Sequence, residues 1–186
     1  MLEVCGKVGT SSAGTDRRLS IGSMIDFMQD CSIFHLGSVE VLSEYFRKSN
    51  TGIYLISRQV NIRKMPVYGD DIIIKTWIYD CNKLYGYRNT IICDKEGDPF
   101  ISSYSIGAFV DLSTGKPIFV PKNVAYKVPL EESFPMKYLP RKITVPRMEA
   151  TIENPVLVRR YHLDYNNHVN NSKYVSIAGE FLPERF

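Results

Sequence analysis

The sequence feature that most constrains the fold is a helix with a broad apolar face, placed before a series of long segments with alternating apolar residues. Ser20 is a favourable N-cap residue for this helix. The apolar residues after it recur with the spacing of one helical face and are joined by two aromatic residues: Ile21, Met24, Ile25, Met28, Cys31, Phe27 and Phe34. A stripe of this width predicts a helix buried against a large surface.

Segments with a two-residue apolar period flank this helix and supply that surface. Residues 2–9 predict a first strand, and a short second helix is expected over 38–48. The later strand rows are Tyr54, Ile56, Val60 and Ile62, with Arg58 in the same row; Ile72, Ile74, Thr76 and Ile78, with Trp77 and Tyr79 opposite; and the segments 84–93 and 100–112. A sheet wrapped around the long helix satisfies all of these patterns, so the sequence predicts an α+β fold.

A second succession of strand, loop and helix follows a proline-rich stretch. Residues 156–163 predict a strand, and an apolar helix begins after Asn171. Because residues 2–34 show the same succession, we interpret the chain as two copies of one fold, the second incomplete. The expected organisation is a first domain at 1–120, a linker at 121–148 and the start of a second domain at 149–186.

The loop before the last helix carries the residues best suited to chemistry. Asp164, Asn166 and His168 alternate along it, and alternate residues of an extended segment face one side. The backbone N–H groups at the start of the helix, at Val169, Asn170 and Asn171, could hold a developing oxyanion. An Asx-rich turn that merely caps a helix is the plainer interpretation. Three polar groups on one face favour an active site that directs water onto an activated acyl group.

Composition and charge argue against a nucleic-acid-binding, membrane-spanning, secreted or zinc-binding protein. The net charge is +3, and no basic stripe is interleaved with aromatic residues, so no nucleic-acid partner is expected. No run of about 18 apolar residues predicts a membrane span, and the N-terminus lacks the pattern of a secretion signal, so a cytoplasmic location is expected. The four cysteines show no zinc spacing, so reduced thiols without a metal or other cofactor are expected.

The segment Asp164–Tyr174 reads D-x-N-x-H-V-N-N-x-x-Y, and on it the chain resembles the acyl-(acyl carrier protein) thioesterases, which carry two hotdog domains. The resemblance extends over the first domain through Arg58, 63–66, 69–70, 75–77, 87–88, Gly97, 102–111 and 116–118. It implies hydrolysis of acyl carrier protein (ACP) thioesters to free fatty acids, with ACP as partner. Asp164, Asn166 and His168 match the catalytic positions: Asp164 would anchor the site, and the other two would position substrate and water.

The chain departs from the family pattern at several places. The glutamate expected to activate the water would lie beyond Phe186, and neither Glu180 nor Glu184 matches it by position. Tyr54 and Ala108 stand where the family usually has tryptophan. The first copy's loop, residues 14–20, lacks the Asn/His pair, so we expect that copy to bind the acyl chain without catalysing.

Three interpretations compete at this stage: an acyl-ACP thioesterase, an acyl-CoA thioesterase with the same site, and a truncated acyl-binding protein without activity. The motif does not choose between carriers, because ACP and CoA present the same pantetheine thioester. Neither acyl chain length nor oligomeric state follows from the sequence, and a monomer or a homodimer is compatible with tandem copies.

Overall fold

The computed structural model describes residues 1–144 and 155–182. Its helices and strands, in chain order, are β1 (Leu2–Lys7), α1 (Ile21–Ser38), α2 (Glu40–Ser49), β2 (Thr51–Ile62), β3 (Asp71–Cys81), β4 (Tyr85–Cys93), β5 (Pro99–Asp111), α3 (Lys122–Ala125) and α4 (Asn171–Gly179), with one 3-10 turn at Arg160–His162. No helix in these two ranges is long and apolar enough to cross a membrane.

Five strands form one antiparallel sheet in the order β1-β3-β4-β5-β2, and α1 packs in its concave side. This is the hotdog fold, as expected. In β3 the inner row is confirmed, because Ile72, Ile74, Thr76 and Ile78 are all buried. Trp77 and Tyr79 lie on the outer face, where they contact Phe134 and Tyr138.

Helix α1 begins as the sequence indicates, because the Ser20 hydroxyl accepts a hydrogen bond from the Ser23 amide at 3.1 Å. The four residues at the centre of the apolar stripe are buried: Met24, Ile25, Met28 and Cys31. Ile21 and Phe34 remain exposed, so the buried face is narrower than the sequence predicted. The helix includes Gly37 and ends at Ser38.

The side-chain row predicted for β2, which placed Tyr54 and Arg58 on one face, is wrong because the strand contains a β-bulge. In β2 the register shifts between Leu55 and Ser57, which leaves Ile56 without an opposite residue on β5. Tyr54 therefore pairs with Ala108, whereas Arg58 pairs with Ser105, and these two β5 residues lie on opposite faces. Tyr54 and Arg58 consequently do not share a row.

The proline-rich segment begins inside the first domain's core. Val124 and Val128 are buried in an apolar cluster with Leu42 and Phe109. After it, residues 129–140, here called the outer segment, cross the outer face of the sheet. The fully buried Asn89 accepts hydrogen bonds there from the Phe134 amide and the Tyr138 hydroxyl. That the segment joins two domains stays a prediction, since the expected boundary at 148–149 lies outside the described residues.

The predicted strand at 156–163 is wrong. Residues 155–159 are irregular and Arg160–His162 form a 3-10 turn. A strand needs a neighbour for its backbone hydrogen bonds, and none of the five described strands pairs with this segment.

Helix α4 packs against α1 instead of against the sheet. A side chain at Gly22 would bring its Cβ within 2.5 Å of the Ser176 Oγ, so the two helices approach closely at this point.

Candidate active site

The segment Asp164–His168 forms a tight turn between the 3-10 turn and α4. The Asp164 amide donates to the His168 carbonyl at 2.8 Å, and the Asn167 amide donates to the Asp164 carbonyl at 3.0 Å. Asn167 has a φ of 62°, in the left-handed region that asparagine tolerates better than most residues. The expectation of an extended segment is therefore wrong, and strand alternation does not determine where these side chains point.

The Asp164 carboxylate holds this turn together. Its Oδ1 accepts from the backbone amides of Asn166 at 2.8 Å and of His168 at 3.2 Å. A carboxylate that accepts backbone N–H groups in this way orders the loop that carries its neighbours. This geometry suits an anchor better than a base, because the carboxylate is already engaged.

Asn166 and His168 present their side chains at the exposed surface of the turn. Neither side chain forms a hydrogen bond within the described ranges, so both are available to a ligand. The His168 ring meets the Tyr54 ring edge to face, with the ring centroids 6.0 Å apart. Tyr54 comes from β2, so the first copy of the fold contributes a side chain to this site. The position of Tyr54 beside His168 does not follow from the sequence, since the contact depends on how β2 and the turn pack together.

The start of α4 provides two of the three backbone N–H donors that the sequence suggested. The Asn170 side chain caps the helix by accepting from the Ser172 amide at 3.0 Å. The Asn170 amide is occupied, because it donates to the His162 carbonyl at 2.9 Å. Within the described ranges, the amides of Val169 and Asn171 have no acceptor, so of the three candidate oxyanion donors these two are free.

Two further residues support the site, and sequence analysis missed one of them. The side-chain amide Nδ2 of Asn171 donates to the Gln29 Oε1 at 2.6 Å, which ties the start of α4 to α1. Gly22, Asp26 and Gln29 share one face of α1 by their spacing, and this small and polar face was the signal that α1 has a second partner. The second residue, His162, is buried, and its Nδ1 accepts from the Arg159 backbone amide at 3.0 Å.

The first copy repeats the backbone of this turn with different side chains. The Gly14 amide donates to the Arg18 carbonyl at 2.8 Å, and Arg17 has a φ of 64°. The supporting bonds also recur: the Gly9 amide donates to the Ser12 side chain, as the Arg159 amide does to His162. At the positions of Asp164, Asn166 and His168 the first copy has Gly14, Asp16 and Arg18. It thus has the scaffold without the imidazole or the amide.

An open hollow lies beside α4 on the side of the 3-10 turn. Its walls are mostly apolar, with basic and acidic groups at the edge: Val156, Leu157, Tyr161, Ile177 and Phe181, with Arg159, His162 and Glu180. No three His, Cys, Asp or Glu side chains in the described part of the chain are close enough together to hold a metal ion. The turn and the start of α4 offer an imidazole, a side-chain amide and two backbone donors, which suit a polarised carbonyl and a water molecule.

Comparison with known proteins gives matches along most of the chain. The model of the acyl-ACP thioesterase N-terminal domain matches residues 7–128, and that of the C-terminal domain matches residues 145–186. The chain is 26% identical over 181 residues to the chloroplastic acyl-(acyl-carrier-protein) hydrolase FATB3 of Cuphea viscosissima, and 25% identical over 183 residues to the dodecanoyl-(acyl-carrier-protein) hydrolase of Umbellularia californica. These alignments cover 91% and 92% of the chain but only 44% and 48% of the relatives.

Solved structures show the same fold. The 12:0-ACP thioesterase of Umbellularia californica superposes with a TM-score of 0.83 at 21% identity, covering 100% of the chain and 76% of that structure. An oleoyl thioesterase from Lactobacillus plantarum gives a TM-score of 0.82 at 21% identity, covering 97% of the chain and 71% of that structure. The chain thus spans less than half the length of the curated relatives, although it spans most of these two structures.

Proposed function

Because the chain belongs to the acyl-ACP thioesterase family, we propose that it takes part in the hydrolysis of acyl-ACP, which releases a free fatty acid for fatty acid biosynthesis. The observation that carries the proposal is the Asp164–His168 turn, which presents Asn166 and His168 to solvent beside two free backbone amides at the start of α4. The first copy of the fold acts as the non-catalytic, acyl-binding part.

Within this proposal each residue of the turn has a role. Asp164 holds the backbone, and His168 and Asn166 orient the thioester and the attacking water. The amides of Val169 and Asn171 stabilise the oxyanion that forms when water attacks the carbonyl carbon. The family resemblance implies a glutamate that takes the proton from this water, and Glu180 does not match it by position, so Glu180 is not assigned that role.

Basic side chains beside the hollow favour ACP over CoA as the carrier. Arg159 lines the hollow, and both it and Arg160 are exposed. ACP is an acidic protein, and positive charge at the mouth of a site accelerates encounter with an acidic partner. The matched relatives are likewise named as acyl-ACP hydrolases. A cytoplasmic location remains our prediction, and the curated relatives are described as chloroplastic.

The site assignment is tested by substitutions in the turn. We expect His168→Ala and Asn166→Ala to lower the rate of lauroyl-ACP hydrolysis by about 10²- to 10⁴-fold, the range typical of positioned polar catalytic groups. Asn167→Gly is the matched control, because glycine adopts the left-handed φ of this position and the side chain has no assigned role. The assay uses the protein expressed from its complete native reading frame, with circular dichroism as a check on folding.

Two outcomes would overturn parts of this proposal. Unchanged turnover in both the His168 and the Asn166 variants would remove the site assignment. Faster turnover of lauroyl-CoA than of lauroyl-ACP would replace the carrier with CoA. The inactive acyl-binding alternative is tested by the intact mass of the native protein, and it is dropped if the mass exceeds that of the 186 residues and the protein hydrolyses lauroyl-ACP.

A further inference from the structure

A band of polar side chains crosses the concave face of the sheet, between two apolar clusters of the core. One cluster contains Met28, Ile74 and Ile92, and the other contains Ile78 and Phe109. The residues of the band are nearly all buried: Thr76, Arg88, Thr90, Ser103, Ser105 and His35. Buried polar groups normally pair with one another, so the partners of the most strongly polar members are informative.

Arg88 satisfies only part of its guanidinium within this band. Its Nη1 lies 2.9 Å from the His35 Nδ1 and donates to the Thr76 hydroxyl at 3.0 Å. Its Nη2 is buried and has no partner among the described residues. Only 7% of the Arg88 residue surface is exposed, so solvent does not replace the missing acceptor.

Arg58 provides a second guanidinium in the same row. It is opposite Ser105 on β5, and Ser105 is in turn opposite Arg88 on β4. Directly opposite residues share a face and have Cβ atoms about 5 Å apart, so the two arginine side chains flank Ser105. The Arg58 Nη1 is also buried without a partner, and no side-chain hydrogen bond of Arg58 occurs in the described ranges.

Two guanidinium groups that each have a buried nitrogen and no counter-ion are costly. Neither arginine forms an ion pair within residues 1–144 and 155–182. Burial lowers the pKa of each guanidinium to about 10, which still leaves both charged at neutral pH. Desolvating an unpaired charge is unfavourable, and buried charges in proteins are normally paired with an oppositely charged group.

We propose that Arg58 and Arg88 form a carboxylate-binding site inside the first copy of the fold. Arginine suits this ligand because its planar fork donates two parallel hydrogen bonds to the two oxygens of a carboxylate. Arg58 lies on β2, which is the edge strand of the described sheet.

A free fatty acid is the first source of such a carboxylate, and this choice rests on the proposed function, since a thioesterase releases fatty acids. The rows beside the band are apolar, and they include the adaptable side chain of Met28. An acidic side chain of the protein outside the described ranges is the second source of the same chemistry.

The test is a ligand-binding measurement by thermal unfolding, so that its result does not depend on hydrolysis. The wild type is compared with Arg58→Met and Arg88→Met, which keep side-chain length and remove the charge. Arg58→Lys keeps the charge without the fork, and Arg47→Met removes an exposed arginine of α2 as the matched control. Each protein is heated with laurate below its micellar concentration, with acetate, and with methyl laurate, which has the same chain without the charge.

With laurate at a hundred times its Kd, we expect the melting temperature of the wild type and of Arg47→Met to rise by about 5 to 10 °C. Methyl laurate should not raise the melting temperature of the wild type in this way. With laurate, Arg58→Met and Arg88→Met should lose most of the rise in melting temperature, and Arg58→Lys should keep part of it. That pattern identifies the fatty acid as the source. If no added carboxylate stabilises the wild type but Arg58→Met lowers its melting temperature below that of Arg47→Met, the protein itself supplies the carboxylate.

The proposal is overturned if Arg58→Met melts at or above the wild-type temperature while no carboxylate stabilises the wild type. It is equally overturned if laurate stabilises the wild type and both methionine variants by the same amount. Loss of lauroyl-ACP hydrolysis in the His168 variant would leave these shifts untouched, so the two proposals fail separately.

Discussion

At the scale of single residues, His35 couples folding to pH. Its imidazole is buried beside Arg88, and burial first, then the Arg88 charge, lowers the pKa of His35 from 6.5 to about 4. The folded state therefore holds a neutral ring that accepts a hydrogen bond, whereas the unfolded chain takes up a proton below about pH 6.5. Stability from this residue is present above pH 6.5 and is lost as the pH falls toward 4.

We expect His35→Gln to reduce that pH dependence. Glutamine keeps an acceptor for Arg88 and does not titrate, so the difference in unfolding free energy between pH 7 and pH 4.5 should shrink by on the order of 2 kcal/mol. The measurement is urea unfolding at several pH values, with the exposed His168 replaced by Gln as control. The N-terminal amino group of Met1 and the Glu131 carboxylate, which also shift the pKa of His35, are unchanged in both variants. Parallel pH profiles for wild type and His35→Gln would contradict the expectation.

Which residues form the candidate site could be predicted from the sequence, but how they are arranged could not. The motif identified Asp164, Asn166 and His168 because carboxylate, amide and imidazole groups stood together before a helix. Their arrangement could not be predicted, because side chains alternate between two sides only in extended backbone, and Asn167 adopts a left-handed conformation. A side-chain oxygen that accepts from the backbone amides of both Asn166 and His168, as that of Asp164 does, is a property of the folded turn.

At the scale of elements, the contact between α1 and α4 depends on small side chains. A Cβ at Gly22 would lie 2.5 Å from the Ser176 Oγ but 3.9 Å from the Ser176 Cβ. The obstacle to a larger residue is therefore the hydroxyl, while alanine also has the higher helix propensity.

We expect the double variant Gly22→Ala with Ser176→Ala to be more stable than Gly22→Ala alone, by about 1 kcal/mol. Gly22→Leu should instead displace α4 and expose residues 155–182 to protease and to amide exchange. Hydrogen exchange of residues 155–182 measures both the added stability in the double variant and the displacement of α4 in Gly22→Leu. Gly37→Ala, in the open part of α1, is the control for the effect of helix propensity alone. Equal exchange in Gly22→Leu and wild type would show that this contact does not hold α4.

The elements of the first copy followed from periodicity, because each buries one regular face. The β-bulge in β2 could not be predicted from periodicity. One extra residue at Ile56 reverses the face of every residue beyond it but leaves the composition of the strand unchanged. The strand predicted at 156–163 failed for a different reason: its apolar residues are suited to a sheet, but no described strand lies beside them.

At the scale of the whole molecule, β2 is a long edge strand without a neighbour on one side in the described sheet. Its twelve residues include the exposed side chains of Leu55, Ile56 and Ile62. An edge with free backbone groups and exposed apolar residues favours pairing with another strand.

We expect the 186-residue chain to self-associate through this edge, and Ile56→Lys to raise the monomer fraction, because a charge on an edge strand opposes pairing. Light scattering after size-exclusion chromatography over a range of concentrations measures the change. Leu112→Lys, at an exposed apolar position outside β2, is the control. If both lysine variants shift the monomer fraction equally, general apolar exposure drives association and the edge does not.

The repeated turn has a consequence for protein design. Residues 14–18 and 164–168 share one backbone path, yet only the second carries the carboxylate, amide and imidazole. The molecule therefore contains a second copy of the turn without these functional groups. A triple variant with Gly14→Asp, Asp16→Asn and Arg18→His would give the first copy the carboxylate, the side-chain amide and the imidazole of the second. The chain thereby separates, within one molecule, what a loop's shape contributes from what its side chains contribute.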